Sequence, residues 1–291
     1  MSHSRIGLAG DLPRRRSIGA IHLVWPLALM MGGCANVPLD QANTLASYDG
    51  LTSNNGKMTK AKYKVAPADL ASLKTIYIEP VAISPAAARS VKKSSDQGLV
   101  ANALGRALCV GVSDRYTVVD SPENADITVH ATVTNIVPTN ATVAGVSAAT
   151  SFGAGFATSV PVPRIPIGLG GLAVEAEATS RDGRQLGAMV WAKGAKFIGD
   201  DARASQVGDA YSLASKFGDD FSKMLVKGKS PFKGFPVSLP SGQKLKSNLG
   251  GKPKYAACEA FGRSPGLIDM AASQVGAPPS WTDKRRPVQG K

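Results

Sequence analysis

From Ile127 to Thr134 apolar and polar residues alternate without a break. Ile127, Val129, Ala131 and Val133 fall in one phase, and Thr128, His130, Thr132 and Thr134 in the other. A period of two puts the phases on opposite faces of a β-sheet. A chain carrying this segment must therefore build a sheet and cover its apolar face. Other segments supply sheet partners. Residues 75–81 (Thr-Ile-Tyr-Ile-Glu-Pro-Val) are β-branched and aromatic and end at a proline. Residues 115–119 form a short strand. Residues 172–179 alternate again, with Val174 and Ala176 on one side and Glu175 and Glu177 on the other. Arg181-Asp182-Gly183-Arg184 then reads as a hairpin turn, with a return strand over 186–195.

Two segments carry the helical period instead. After Asp96, an expected N-cap, Val100, Ala103, Leu104, Ala107 and Leu108 recur at spacings of three and four, and Gly111 is an expected stop. Over 206–227, Val207, Ala210, Ala214, Phe217, Phe221 and Met224 make an apolar stripe, with Asp209, Lys216, Asp220 and Lys223 outside it and Gly228 at its end. The order β-α-β-β-β-β-α predicts an α/β fold of the α+β two-layer sandwich kind. Its mixed sheet of about 4–5 strands has two helices packed on one face, so that each apolar face is covered. The folded domain is expected over 63–228.

The start of the chain sets a compartment. Arg14-Arg15-Arg16 precedes an apolar run from Ile18 to Met31, then Gly32-Gly33-Cys34. Positive charge, a short apolar stretch and small residues are the parts of a secretory signal. A cysteine straight after them reads as a lipobox, with Cys34 as the lipidation site and residues 1–33 removed. The run contains His22, Trp25 and Pro26 and falls short of the roughly 20 apolar residues that span a bilayer. Ala35 follows, with no aspartate to suggest inner-membrane retention, so the expected place is the outer membrane, facing the periplasm. Residues 34–62, rich in Asn, Ser, Thr, Gly and Ala, read as a flexible tether. Lys57, Lys60, Lys62 and Lys64 come at its end.

Compartment decides what the charge means. The formal charge is +13. Removing four arginines and one aspartate with residues 1–33 leaves 30 basic and 20 acidic residues, a net +10. Residues 229–291, a basic Pro/Gly-rich extension, hold 11 Lys/Arg against Glu259, Asp269 and Asp283. In an exported protein such charge points away from nucleic acid. It points to anionic lipid or peptidoglycan, or to a solvated extension. With Cys34 acylated, Cys109 and Cys258 remain. In an oxidising compartment they are either a disulfide or two buried thiols.

Residues 141–171 depart from the plan. From Ile127 to Pro163 there is no charged residue, and Arg164 is alone before Glu175. The stretch is long and apolar for a connection in a compact domain. It admits three uses: an oligomer contact, a membrane-touching hairpin or a flexible insertion. Pro161, Pro163 and Pro166 argue against a regular spanning helix.

Parts for catalysis are few. His130 is the one histidine after residue 33. It shares the polar phase with Glu175 and Glu177 on neighbouring strands, so a His-Glu-Glu group could serve a metal or a hydrolase acting on glycan or lipid. Asp200-Asp201 and Asp219-Asp220 are neighbours in sequence and do not face each other on a helix. Motifs for zinc proteases, serine hydrolases and phosphate loops are absent. The expectation is no enzyme, no catalytic or metal site and no cofactor.

Tyr48-Asp49-Gly50-Leu51, residues 76–81, and Glu175-Ala176-Glu177 followed by Asp182-Gly183 and Leu186 together resemble the bacterial putative lipoproteins of domain-of-unknown-function family 3313. The resemblance covers roughly 45–228 and implies an envelope lipoprotein without assigned catalytic residues. The expected role is a lipid-anchored binding or assembly module for another envelope component, with a homo-oligomer through 141–171 as a further option.

Overall fold

The alternating segment becomes the longest described strand, Ile127–Val137. It lies near the middle of a mixed sheet. The computed structural model describes residues 36–55, 59–155, 164–196, 200–233 and 241–284, all within the contact unit Gly33–Lys291. The signal segment, Cys34 and Lys57 lie outside the described residues. In chain order the strands are β1 Thr52–Asn55, β2 Lys60–Val65, β3 Thr75–Ile78, β4 Ala82–Ile83, β5 Thr117–Val119, β6 Ile127–Val137, β7 Gly171–Ser180 and β8 Gln185–Gly194. They order as β1-β2-β8-β7-β6-β3-β5, with β4 also paired to β6. Pairings from β1 to β6 are antiparallel, and those among β6, β3, β4 and β5 are parallel.

The expected class and the order β-α-β-β-β-β-α are present as β3, the helix α3 Ser94–Val112, β5, β6, β7, β8 and the helix α5 Gly208–Lys227. The sheet is larger than expected, with eight strands among the described residues. The additional hairpin, β1–β2, begins inside the stretch read as a tether and runs past its expected end at 62, to Val65. Its signal is Lys60-Ala61-Lys62-Tyr63-Lys64-Val65. Ala61 and Tyr63 are buried between lysines, opposite Trp191 and Met189. Alternation was present, but charge masked it.

One face of the sheet carries the core. Ile76, Ile78, Ile127, Val129, Val133, Val174, Ala176, Met189 and Trp191 meet the stripes of α3 and α5. Trp191 packs edge-on against Phe217, with centroids 5.6 Å apart. The two helices approach closely: a Cβ on Gly218 would lie 2.4 Å from Ala107 Cβ. Gly111 does not stop α3 as expected. It sits within the helix against Ser222, which leaves room for no side chain there. Asp96 is in the first turn, and the cap position is Lys93. Gly228 closes α5 in the left-handed conformation, at φ +59°.

The shorter helices are α1 Pro67–Leu70, α2 Pro85–Ser90, α4 Ala141–Gly155, α6 Gly242–Asn248, α7 Leu267–Gln274 and α8 Pro279–Thr282. Residues 241–284 are folded rather than a solvated extension. Cys109 and Cys258 form a disulfide across 149 positions. Phe261 enters the core, and Arg106 donates to Phe261 O, Tyr211 Oη and Asp283. No helix among the described residues is long and apolar enough to cross a membrane.

Candidate functional site

The second face of the sheet is organised by two carboxylates. Period two on β7 sends Val174 and Ala176 to the core and Glu175 and Glu177 the other way. Both glutamates are nonetheless buried, at 1% and 6% exposure. Residues 36–51, expected as part of a tether, lie over them as a strap. Glu175 accepts Ala42 N at 2.8 Å, Thr44 N at 3.1 Å, Thr44 Oγ1, and Tyr48 Oη at 2.7 Å. Glu177 accepts Ala46 N at 3.0 Å and Gln185 Nε2. A buried carboxylate costs much free energy unless donors replace its water. Here half of the donors are backbone amides of the strap and the rest are side chains, two of them strap hydroxyls. Burial, then the bond to Glu175, pushes the Tyr48 phenol above its ordinary pKa.

Lysines of β2 hold the strap at both ends. Lys60 Nζ donates to Asn36 Oδ1 at 2.7 Å and Val37 O at 3.2 Å, and Lys64 Nζ to Asp49 O at 2.9 Å. Apolar contacts fill the gaps. Val37 packs on Ala173 and Ala192, and Leu45 on Ala188 and Val190 with Leu39, Tyr48 and Leu51 beside them. The strap was not legible as structure because its five larger apolar residues follow neither period.

Beside the strap runs a groove of about 550 Å³. Asp40 and Gln41 of the strap form one wall, Arg89 and Ser90 at the end of α2 line it as well, and Asn135 and Ala173 belong to the sheet. A larger cavity, about 690 Å³, lies by the disulfide, lined by Tyr77, Asn102, Asp120, Glu259 and Phe261.

The His-Glu-Glu group, the alternative that the sequence allowed, does not form. Register sets His130 opposite Glu177, but His130 Nδ1 bonds Glu79 Oε2 at 2.7 Å, with both side chains about two-fifths exposed. An ionised carboxylate has about four acceptor positions, and Glu175 accepts four hydrogen bonds. Among the described residues no group of three or more His, Cys, Asp or Glu is placed to hold a metal ion. The adjacent aspartates have separate partners. Asp200 pairs with Lys216, Asp219 with Lys244 at 2.9 Å, and Asp220 accepts Trp191 Nε1 at 3.1 Å.

Asp209, expected outside the apolar stripe, is buried at the start of α5. It pairs with Arg164 at 2.7 Å and accepts Thr139 Oγ1 at 3.1 Å and Gly170 N at 2.7 Å. These bonds tie both ends of the uncharged segment to α5. Within that segment, Ala144 and Ala148 of α4 pack on Ala202.

A family profile described as "Protein of unknown function (DUF3313)" matches residues 40–221. No curated protein matches the chain. Among solved structures, the PelC dodecamer from Paraburkholderia phytofirmans is 12% identical, with a TM-score of 0.34, covering 56% of this chain and 96% of that one. A variant of that dodecamer is 14% identical, with a TM-score of 0.29, covering 56% and 95%. Likeness at these scores bears on neither mechanism nor assembly.

Proposed function

The chain belongs to the DUF3313 family, and from that premise we propose that it is a lipid-anchored, non-enzymatic protein of the bacterial cell envelope that binds another envelope component. Cys34 carries the lipid, and the protein sits at the outer membrane facing the periplasm. The observation that carries the reading is the use made of Glu175 and Glu177. These strand carboxylates, the best candidates for acid–base work, bind the strap that leads back toward Cys34. They serve attachment of the chain's own start rather than chemistry on a substrate. The groove between the strap and α2 is the binding surface, with Arg89 and Asp40 as its charged contacts.

The test is a pull-down from crosslinked envelopes, run with the wild-type chain, Cys34→Ser and Arg89→Glu. The expected outcome is a partner or cell-wall fraction enriched by the wild type and lost in both variants. Equal recovery from all three overturns the reading.

A further inference from the structure

The strap starts at one end of the sheet. There β7 begins at Gly171, which pairs with Gly194 at the end of β8 and Val137 at the end of β6. Val37 Cγ2 lies where a Cβ on Gly171 would stand, 2.2 Å from that position. Lys60, at the start of β2, holds Asn36. Cys34 is two residues further back, and two residues span at most about 7 Å of chain. A lipid on Cys34 would therefore hold this end of the sheet against the bilayer, with no slack for a tether.

The same end displays the uncharged segment. Asn140 N donates to Gly168 O at 2.8 Å, and Ala195 N to Gly170 O at 2.9 Å, so the segment leaves and returns beside Val137, Gly171 and Gly194. Between Val137 and Leu172 the single charged residue is Arg164, and its guanidinium is buried against Asp209. What the described residues of the segment present outward is uncharged. It includes Val146 at 51% exposure and Ile167 at 63%. Lys60 of β2, exposed and holding Asn36, stands at the same end, the sign that suits anionic headgroups. Large exposed apolar side chains next to a membrane attachment point are the composition of an interfacial contact.

We infer that the described parts of 141–171, around Val146 and Ile167, are a membrane-facing surface that rests on the headgroup region of the bilayer. The inference rests on the anchor reading above and assigns the face that the anchor presses down. Uncharged surface then meets lipid, while the Asp182-Gly183 turn at the other end of the β7–β8 hairpin points away from the bilayer.

The experiment uses the purified full chain with a polarity-sensitive fluorophore on Ile167→Cys or Val146→Cys, and on Asp182→Cys as the distal control. The Cys109–Cys258 bond stays oxidised. The protein is mixed with vesicles of phosphatidylcholine and phosphatidylglycerol, with and without headgroup spin label. The intact mass reads acylation of Cys34 separately. The expected result is severalfold stronger lipid quenching at 167 and 146 than at 182. Lipid quenching at 167 without acylation upholds the surface and removes the anchor. Acylation with equal quenching at 167 and 182 overturns the surface and keeps the anchor. Shielding of 167 from aqueous quencher without lipid quenching assigns the face to a second copy and overturns the inference, as does absence of any quenching at 167 and 146.

Discussion

Tyr48 Oη donates to Glu175 Oε2 at 2.7 Å across 127 positions of chain. Two short motifs that resemble the family thus turn out to be the two halves of one contact. Tyr48→Phe removes one of the donors to a buried carboxylate and leaves the rest. A hydrogen bond to a charged group contributes about 1.5–3 kcal/mol. The expected outcome is a stability loss of that order in urea unfolding and faster protease cutting within 36–51. An unchanged midpoint together with an unchanged cleavage rate would refute the clasp.

The Arg164–Asp209 pair is buried on both sides, at 4% and 1% side-chain exposure. Removing one member of such a pair leaves a buried charge without its partner, which costs about 3–5 kcal/mol. Arg164→Ala should lower stability by that amount, read by denaturant unfolding at neutral pH. Thr139 Oγ1 and Gly170 N still donate to Asp209, so the loss falls toward the lower figure. A change under about 1 kcal/mol would mean that water reaches Asp209 and the site is not dry.

The disulfide Cys109–Cys258 joins α3 to the folded part of the basic extension. Closing a loop across 149 positions removes unfolded-state entropy equivalent to about 5 kcal/mol, an upper figure for real bridges. Cys109→Ser with Cys258→Ser should lower the melting temperature. It should also open 241–284 to protease before the sheet domain, since Arg106, Phe261, Asp283 and the Asp219–Lys244 pair then hold that part without the covalent link. Simultaneous loss of both parts would show one cooperative unit instead.

The strands β6 and β7 and the helices α3 and α5 are legible because each has one apolar face and one period. Strand β8 is apolar on both faces and is legible only as the return strand of the Asp182-Gly183 turn. Elements with mixed duties are not. β2 hides Ala61 and Tyr63 among three lysines, two of which hold the strap. The strap has no period, since its bonds go from backbone amides to two distant side chains. Asp209 and Asp220 read as surface charges because sequence does not reveal a partner 45 or 29 positions away. The glutamates were correctly set on the second face, but their use depended on what covers that face.

Asp220 stands on α5 facing β8. Its carboxyl accepts Trp191 Nε1 at 3.1 Å beneath the β8–α5 contact. Burial raises its pKa above the ordinary 3.8, although the Trp191 bond and the charges of Lys193 and Lys223 pull the other way. The folded state then binds this proton more tightly than the unfolded state does. Stability is lost as pH climbs from the ordinary carboxyl range through the raised value, and the loss persists above it. Asp220→Asn keeps an acceptor for Trp191 and removes the charge. It should therefore raise the melting temperature at about pH 8, with the gain shrinking toward zero near the ordinary carboxyl pKa of about 4. Parallel melts of the two chains across that range check it. A gain that stays constant with pH, or a loss at pH near 8, would show that the ionised carboxylate is not penalised where it sits.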